Sequence, residues 1–135
     1  ELLEVGASRT LREGDDASIL AFGRMVSRSL AAAELLAADG ISARVVDMTW
    51  AKPLDEEAIR AAAATRLVVT VEEGVVAGGV GEGVLEVLSR LDSKTRAITL
   101  GIPDSFVLQG KSELLLHDLG LDAEGIAAAV REGIA

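Results

Sequence analysis

The sequence has no cysteine. That excludes a disulfide framework, thiolate metal ligation and thiol redox chemistry. Aromatic residues are nearly missing as well, with two Phe, one Trp and no Tyr in 135 residues, too few for a fold that leans on large ring anchors. No run approaches the roughly 18 unbroken apolar residues of a membrane span. Residues Glu1 to Arg12 mix charged and small side chains, unlike a signal peptide. Basic runs are absent too. The 13 Lys and Arg are scattered, and a formal net charge of −9 would repel nucleic-acid phosphates rather than neutralise them. The expectation is a cytoplasmic chain that binds neither nucleic acid nor membrane.

What is present is aliphatic. Half the residues are hydrophobic, and most are Ala, Val, Leu and Ile, the composition of helices packed closely on a sheet. The length suits one domain spanning residues 1–135. Hydrophobic period switches repeatedly between strand-like runs and helix-like stripes, the pattern of an α/β domain. Ala17 to Phe22, Ala43 to Met48, Leu67 to Val71 and Ala97 to Leu100 read as strands. Leu67 to Val71, the most β-rich run, should be fully buried and end at Glu72-Glu73-Gly74. Val26, Leu30, Ala33 and Ala37 fall on one helical face, and Gly40 suits the left-handed position beyond that helix. Asp55 is placed to cap a helix running to Ala64, with Glu56 and Glu57 in its first turn and Leu54 and Ile59 as a staple. Val84, Leu88 and Leu91 stripe another helix, and two short helices follow around Glu113 to Leu119 and Asp122 to Arg131. Alternating strands and helices imply right-handed crossovers and a mostly parallel sheet. Ser8 to Glu13 can add one antiparallel edge strand.

Four features invite a chemical reading. Gly78-Gly79-Val80-Gly81-Glu82-Gly83 follows a strand and opens a helix, as a phosphate-binding turn would. A dinucleotide fingerprint from Gly79 would need glycine where Val84 stands, however, and no Lys-Ser or Lys-Thr pair follows. Glu82, with Glu72 and Glu73 upstream, would also repel a phosphate. Close backbone packing, between helix and sheet or between subunits, is the better reading of these glycines. Glu72 and Glu73 resemble an acid/base pair, but neighbours at a strand end point to opposite faces, so a structural or interface role is expected. His117, the only histidine, lacks partners at metal-ligand spacing and suits a solvated helix face. Trp50 is expected to cover the core edge. No catalytic, cofactor-binding or metal-binding set assembles.

Several segments together resemble a known family. They are Ile19-Leu20-Ala21-Phe22-Gly23-Arg24-Met25-Val26, Lys52-Pro53-Leu54-Asp55, and Val69-Thr70-Val71-Glu72-Glu73-Gly74 with Gly78-Gly79-Val80-Gly81. Gly101-Ile102-Pro103-Asp104-Ser105-Phe106 with Gln109-Gly110, and Leu119-Gly120-Leu121-Asp122-Ala123-Glu124-Gly125-Ile126, complete the series. The series is similar to the C-terminal domain of the transketolase-type thiamine diphosphate enzymes, and within them to the 1-deoxy-D-xylulose 5-phosphate synthase family. Thr49-Trp50, Val80 and Glu82 depart from the usual residues of that family.

The resemblance implies a three-layer α/β/α domain on a five-stranded mixed sheet. It implies a parent enzyme that uses thiamine diphosphate and Mg²⁺ to condense pyruvate with glyceraldehyde 3-phosphate. The cofactor and catalytic residues of such a parent would lie in two upstream domains at a homodimer interface. The chain alone should then hold neither cofactor nor activity. Glu72, Glu73, Gly78, Gly79 and Gly81 would belong to the dimer or domain interface, and the upstream domains would be its partners. The chain opens on Glu1 and enters the domain at once, the expectation for part of a longer chain. The alternatives are the equivalent domain of a transketolase, the equivalent domain of a 2-oxo acid dehydrogenase E1 β subunit, and a free-standing interaction module.

Overall fold

The structure, a computed structural model, describes residues 4–75, 79–102 and 113–135. Its strands are β1 (Arg9–Arg12), β2 (Ala17–Ala21), β3 (Ala43–Asp47), β4 (Leu67–Val75) and β5 (Arg96–Ile102). Its helices are α1 (Met25–Ala38), α2 (Glu56–Ala62), α3 (Val80–Arg90), α4 (Glu113–Asp118) and α5 (Ala123–Ile134). The strands form one five-stranded sheet in the order β1-β3-β2-β4-β5. β1 runs antiparallel to β3, with a register shift between Thr10 and Arg12, and the other pairings are parallel. The mixed sheet with one antiparallel edge agrees with expectation.

Strand alternation sorts the side chains into two cores. Ala17, Ile19, Ala21, Ala43, Val45, Leu67, Val69 and Val71 face one side, where α1 and α5 contribute Met25, Ala32, Ala33, Leu36, Ile126 and Val130. Leu20, Val46 and Val68 face the other, against Ala58, Ile59 and Ala62 of α2 and Val84, Val87 and Leu88 of α3. This is the three-layer arrangement. Every residue of β2 is buried, because both of its faces and both of its edges are covered. Each fully buried Leu or Ile contributes roughly 1.5–3 kcal/mol, which the small aliphatic side chains supply without aromatic help.

The helix ends follow the local chemistry. Gly40 adopts φ +77° after α1, where the amides of Gly40 and Ile41 donate to Ala37 and Leu36 and close the helix. Asp55 caps α2 by accepting from the Ala58 amide at 3.1 Å. It also accepts from Ser8, through the backbone amide and the hydroxyl, both at 2.8 Å, and so ties the segment before β1 to α2. Leu54 and Ile59 meet in the same core, as the staple requires.

Three boundaries differ from expectation. β4 does not end at Val71 but continues through Glu72 and Glu73 to Val75, because both carboxylates find partners there. Its ladder with β5 carries a register shift between Val71 and Val75. α2 ends at Ala62, short of Ala64, where the Thr65 hydroxyl donates to the Ala62 carbonyl at 2.7 Å. α3 begins inside the glycine-rich segment, at Val80, with Gly79 as its extended N-cap residue. Gly78 and the segment from Pro103 to Gly110 lie outside the described residues.

The strand order also places the reversal of winding direction. From β2 the chain goes first to β3 on one side and then returns to β4 on the other. The carboxyl ends of β2 and β4 therefore flank the switch point, the crevice where open α/β sheets usually take ligands.

Candidate interface site

At that crevice β4 carries its two adjacent carboxylates to opposite faces, as strand alternation demands. Glu72 turns to the α3 side and is 5% exposed. Its Oε2 accepts from the Gly81 amide at 2.8 Å and its Oε1 from the Val80 amide at 3.2 Å. These two amides open α3, so the carboxylate satisfies donors that the helix leaves free and meets the positive end of its dipole. Glu73 lies on the other face and accepts from Arg24 Nε at 2.6 Å, joining the end of β4 to the loop after β2. Gly23, just before Arg24, adopts φ +60°.

Gly81 allows the close approach. A Cβ there would lie 2.7 Å from Thr70 Oγ1, 3.0 Å from Thr99 Cγ2 and 3.2 Å from Glu72 Oε2. Thr70 is 1% exposed, and its hydroxyl has no hydrogen-bond partner among the described residues. The floor beneath the first turn of α3 is thus polar, with Thr70 and Glu72 on one strand and Thr99 on the next. Glu72, Gly79 and Gly81 meet at the start of α3, whereas Glu73 lies on the opposite face beside Arg24. The two carboxylates do not converge on a shared point. Nothing in the sequence singles out Thr70 or Thr99, because their roles depend on the pairing of β4 with β5.

The phosphate-turn reading has a physical answer. An anion does sit on the α3 amides, and it is the chain's own Glu72. No open cradle for a diphosphate remains at Val80 and Gly81, and Glu82 is exposed in the first helical turn. Elsewhere, Arg90 of α3 pairs with Glu56 of α2 at 3.1 Å above a shallow cleft of about 300 Å³ lined by Lys52, Pro53, Leu54 and Gly83.

His117 needs a correction. It is exposed on α4, as expected, but it has partners. Its Nδ1 lies 2.5 Å from Asp122 Oδ2, and ligand atoms of His117, Asp122 and Glu124 all fall within 4.8 Å of one another. The five-residue spacing from His117 to Asp122 fits no single-helix pattern, and the turn at Gly120 (φ +74°) closes the gap. The hydrogen bond to Asp122, then its charge, raises the His117 pKa above the ordinary 6.5. Burial alone would raise Asp122, but the Gly125 amide and His117 together hold it below the ordinary 3.8. Asp122 Oδ1 meanwhile accepts from the Gly125 amide at 2.9 Å and caps α5. The cluster is a clasp between α4 and α5. Trp50 is half-buried, as a cover for the core edge would be, and its indole N–H has no partner among the described residues.

The sequence model of the transketolase C-terminal domain matches residues 6–126. The chain is 45% identical to a 1-deoxy-D-xylulose-5-phosphate synthase of Syntrophotalea carbinolica, over 97% of this chain and 21% of that protein. A synthase of the same name from Synechococcus sp. is 47% identical over 97% of this chain and 20% of its own length. Among solved structures, a split gene transketolase, described as an inactive β4 tetramer, superposes with a TM-score of 0.87 at 41% identity. That match covers 98% of this chain and 42% of the other. The chain spans about a fifth of the length of these curated relatives.

Proposed function

The chain belongs to the transketolase C-terminal domain family, and from that premise we propose that it forms the C-terminal domain of a 1-deoxy-D-xylulose 5-phosphate synthase. Identity of 45% sustained over 97% of the chain carries this reading. The parent is then a cytoplasmic homodimer that condenses pyruvate with glyceraldehyde 3-phosphate, supplying isoprenoid and thiamine precursors. Thiamine diphosphate and Mg²⁺ provide the decarboxylation chemistry from the upstream domains. The present domain provides scaffold and contacts, and by itself is inactive and binds no cofactor. The capping of the α3 amides by Glu72 supports that division of labour, since the glycine-rich turn at the start of α3 is already filled.

The contact surface in this reading is the junction of β4 and α3, with Glu73 and Arg24 at its rim. A half-exposed Arg24 joined to a mostly buried Glu73 gives a rigid polar edge at the switch-point crevice. The related split gene transketolase, an inactive β4 tetramer, assembles from copies of a chain that contains an equivalent domain, which supports both self-association and lack of activity on its own.

A second reading is favoured by that same structure: the domain of a transketolase, whose donor is a ketose phosphate. The assay that separates them gives the purified full-length parent, with thiamine diphosphate and Mg²⁺, either pyruvate or a ketose phosphate as donor. Pyruvate-dependent formation of the five-carbon phosphate with release of CO₂ supports the synthase. Turnover of the ketose phosphate alone would hand the assignment to transketolase. Calorimetric titration of the 135-residue chain with thiamine diphosphate is expected to give no saturable heat, and micromolar binding would contradict the scaffold role.

A further inference from the structure

Glu72 is a carboxylate almost fully withdrawn from water. It is 5% exposed, points away from its neighbour Glu73, and spends both oxygens on backbone amides eight and nine residues ahead. Such a bond pair links the end of a strand to the start of the next helix across the intervening turn. We propose that Glu72 is the positioning residue of the β4–α3 junction: an internal anion that fixes the first turn of α3 and so sets the shape in which the junction meets a second copy of the chain. The inference rests on the interface reading above.

Three further observations support it. The helix has no capping side chain of its own, because its N-cap residue is Gly79. Gly81 cannot carry a side chain without meeting Thr70, Thr99 and Glu72 itself, so the helix start is pressed directly onto the carboxylate. A Cβ at Gly74 would lie 3.1 Å from Glu72 Oε1, so the same carboxylate is also packed against its own strand. Geometry on both sides of the turn therefore refers to this one group. The Thr70 hydroxyl beneath these amides has no hydrogen-bond partner among the described residues, so Glu72 alone accepts from Val80 and Gly81 there.

The test combines amide exchange at Val80 and Gly81 with sedimentation of the 135-residue chain. Glu72→Ala is expected to speed exchange at these two amides by roughly tenfold or more and to weaken self-association. Glu72→Gln keeps one acceptor oxygen and should fall between, holding one amide and part of the association. Added formate, which fits the space a carboxylate leaves, should partly restore both in Glu72→Ala. Asp55→Ala is the structural control, expected to lower stability while leaving both readouts near wild type. Should Glu72→Ala fail to fold, Glu72→Gln carries the same comparison. Wild-type exchange in both variants overturns the assignment, and so does lost protection with unchanged association. A wild-type chain that stays monomeric at every concentration would overturn the interface reading instead, and that result needs no variant.

Discussion

At the start of α2 the capping carboxylate belongs to Asp55, three residues ahead of the amide that donates to it. At the start of α3 it belongs to Glu72, on the preceding strand and eight to nine residues away. Both satisfy the same orphan donors and the same dipole. They differ in what they hold. Asp55 caps its own helix and additionally anchors Ser8. Glu72 joins the sheet to a helix, is almost fully withdrawn from water, and has glycine packed against it from two directions. A local cap fixes an end of one element, whereas a long-range cap fixes how two elements meet.

That contrast predicts an order of effects. Replacing Glu72 by Ala should be the most damaging, at about 3 kcal/mol, because two charge-assisted bonds disappear and one buried and one part-buried amide are left without partners. Chemical denaturation would read it, and a loss under about 1 kcal/mol would erase the distinction from a local cap. Gly81→Ala comes next, at about 2 kcal/mol, through overpacking against Thr70 and Thr99. The paired change Gly81→Ala with Thr70→Ala should recover part of that loss, since the nearest contact of the new Cβ is the Thr70 hydroxyl. Asp55→Ala should cost about 1 kcal/mol, the ordinary magnitude for a helix cap, and should also loosen the segment around Ser8.

The α5 start gives the smallest effect and a pH signature. His117 has a raised pKa, so the stability it contributes is full below the ordinary 6.5 and is lost as pH rises through its folded value. Asp122 has a lowered pKa, so its share is present above 3.8 and is lost as pH falls through its folded value. The clasp is therefore strongest between those two ordinary values, from about 3.8 to 6.5. His117→Gln should flatten the alkaline side of the stability profile and leave the acid side largely in place. An unchanged profile from pH 5 to pH 8 would show that the exposed pair contributes nothing, as many surface pairs do.

The same contrast explains what was legible in the sequence. Asp55, Leu54 and Ile59 stand within one turn of each other, so their roles follow from spacing alone. Gly40 and the stripe of α1 are readable for the same reason. Strand alternation alone separates Glu72 from Glu73, and the two carboxylates do lie on opposite faces. Their partners were not visible: Arg24 is 49 residues from Glu73, and the Val80 and Gly81 amides carry no sequence signal. Strand β4 outran its expected end because two carboxylates look like a terminator until those partners are known. The pairing of His117 escapes sequence reading in the same way, since its partner Asp122 lies across a turn, at the cap of the following helix.

One reactive probe tests directly whether the β4–α3 junction is a contact surface of a larger enzyme. The chain lacks cysteine, and Glu82 is exposed in the first turn of α3, so Glu82→Cys places a single thiol on that surface. Its labelling rate would be measured in the 135-residue chain and in the assembled full-length parent, with the labelled site confirmed by mass. Labelling is expected to be fast in the dilute domain and much slower in the parent, where a contact surface would be covered. Equal rates in the two would leave the junction exposed in the working enzyme and contradict the claim.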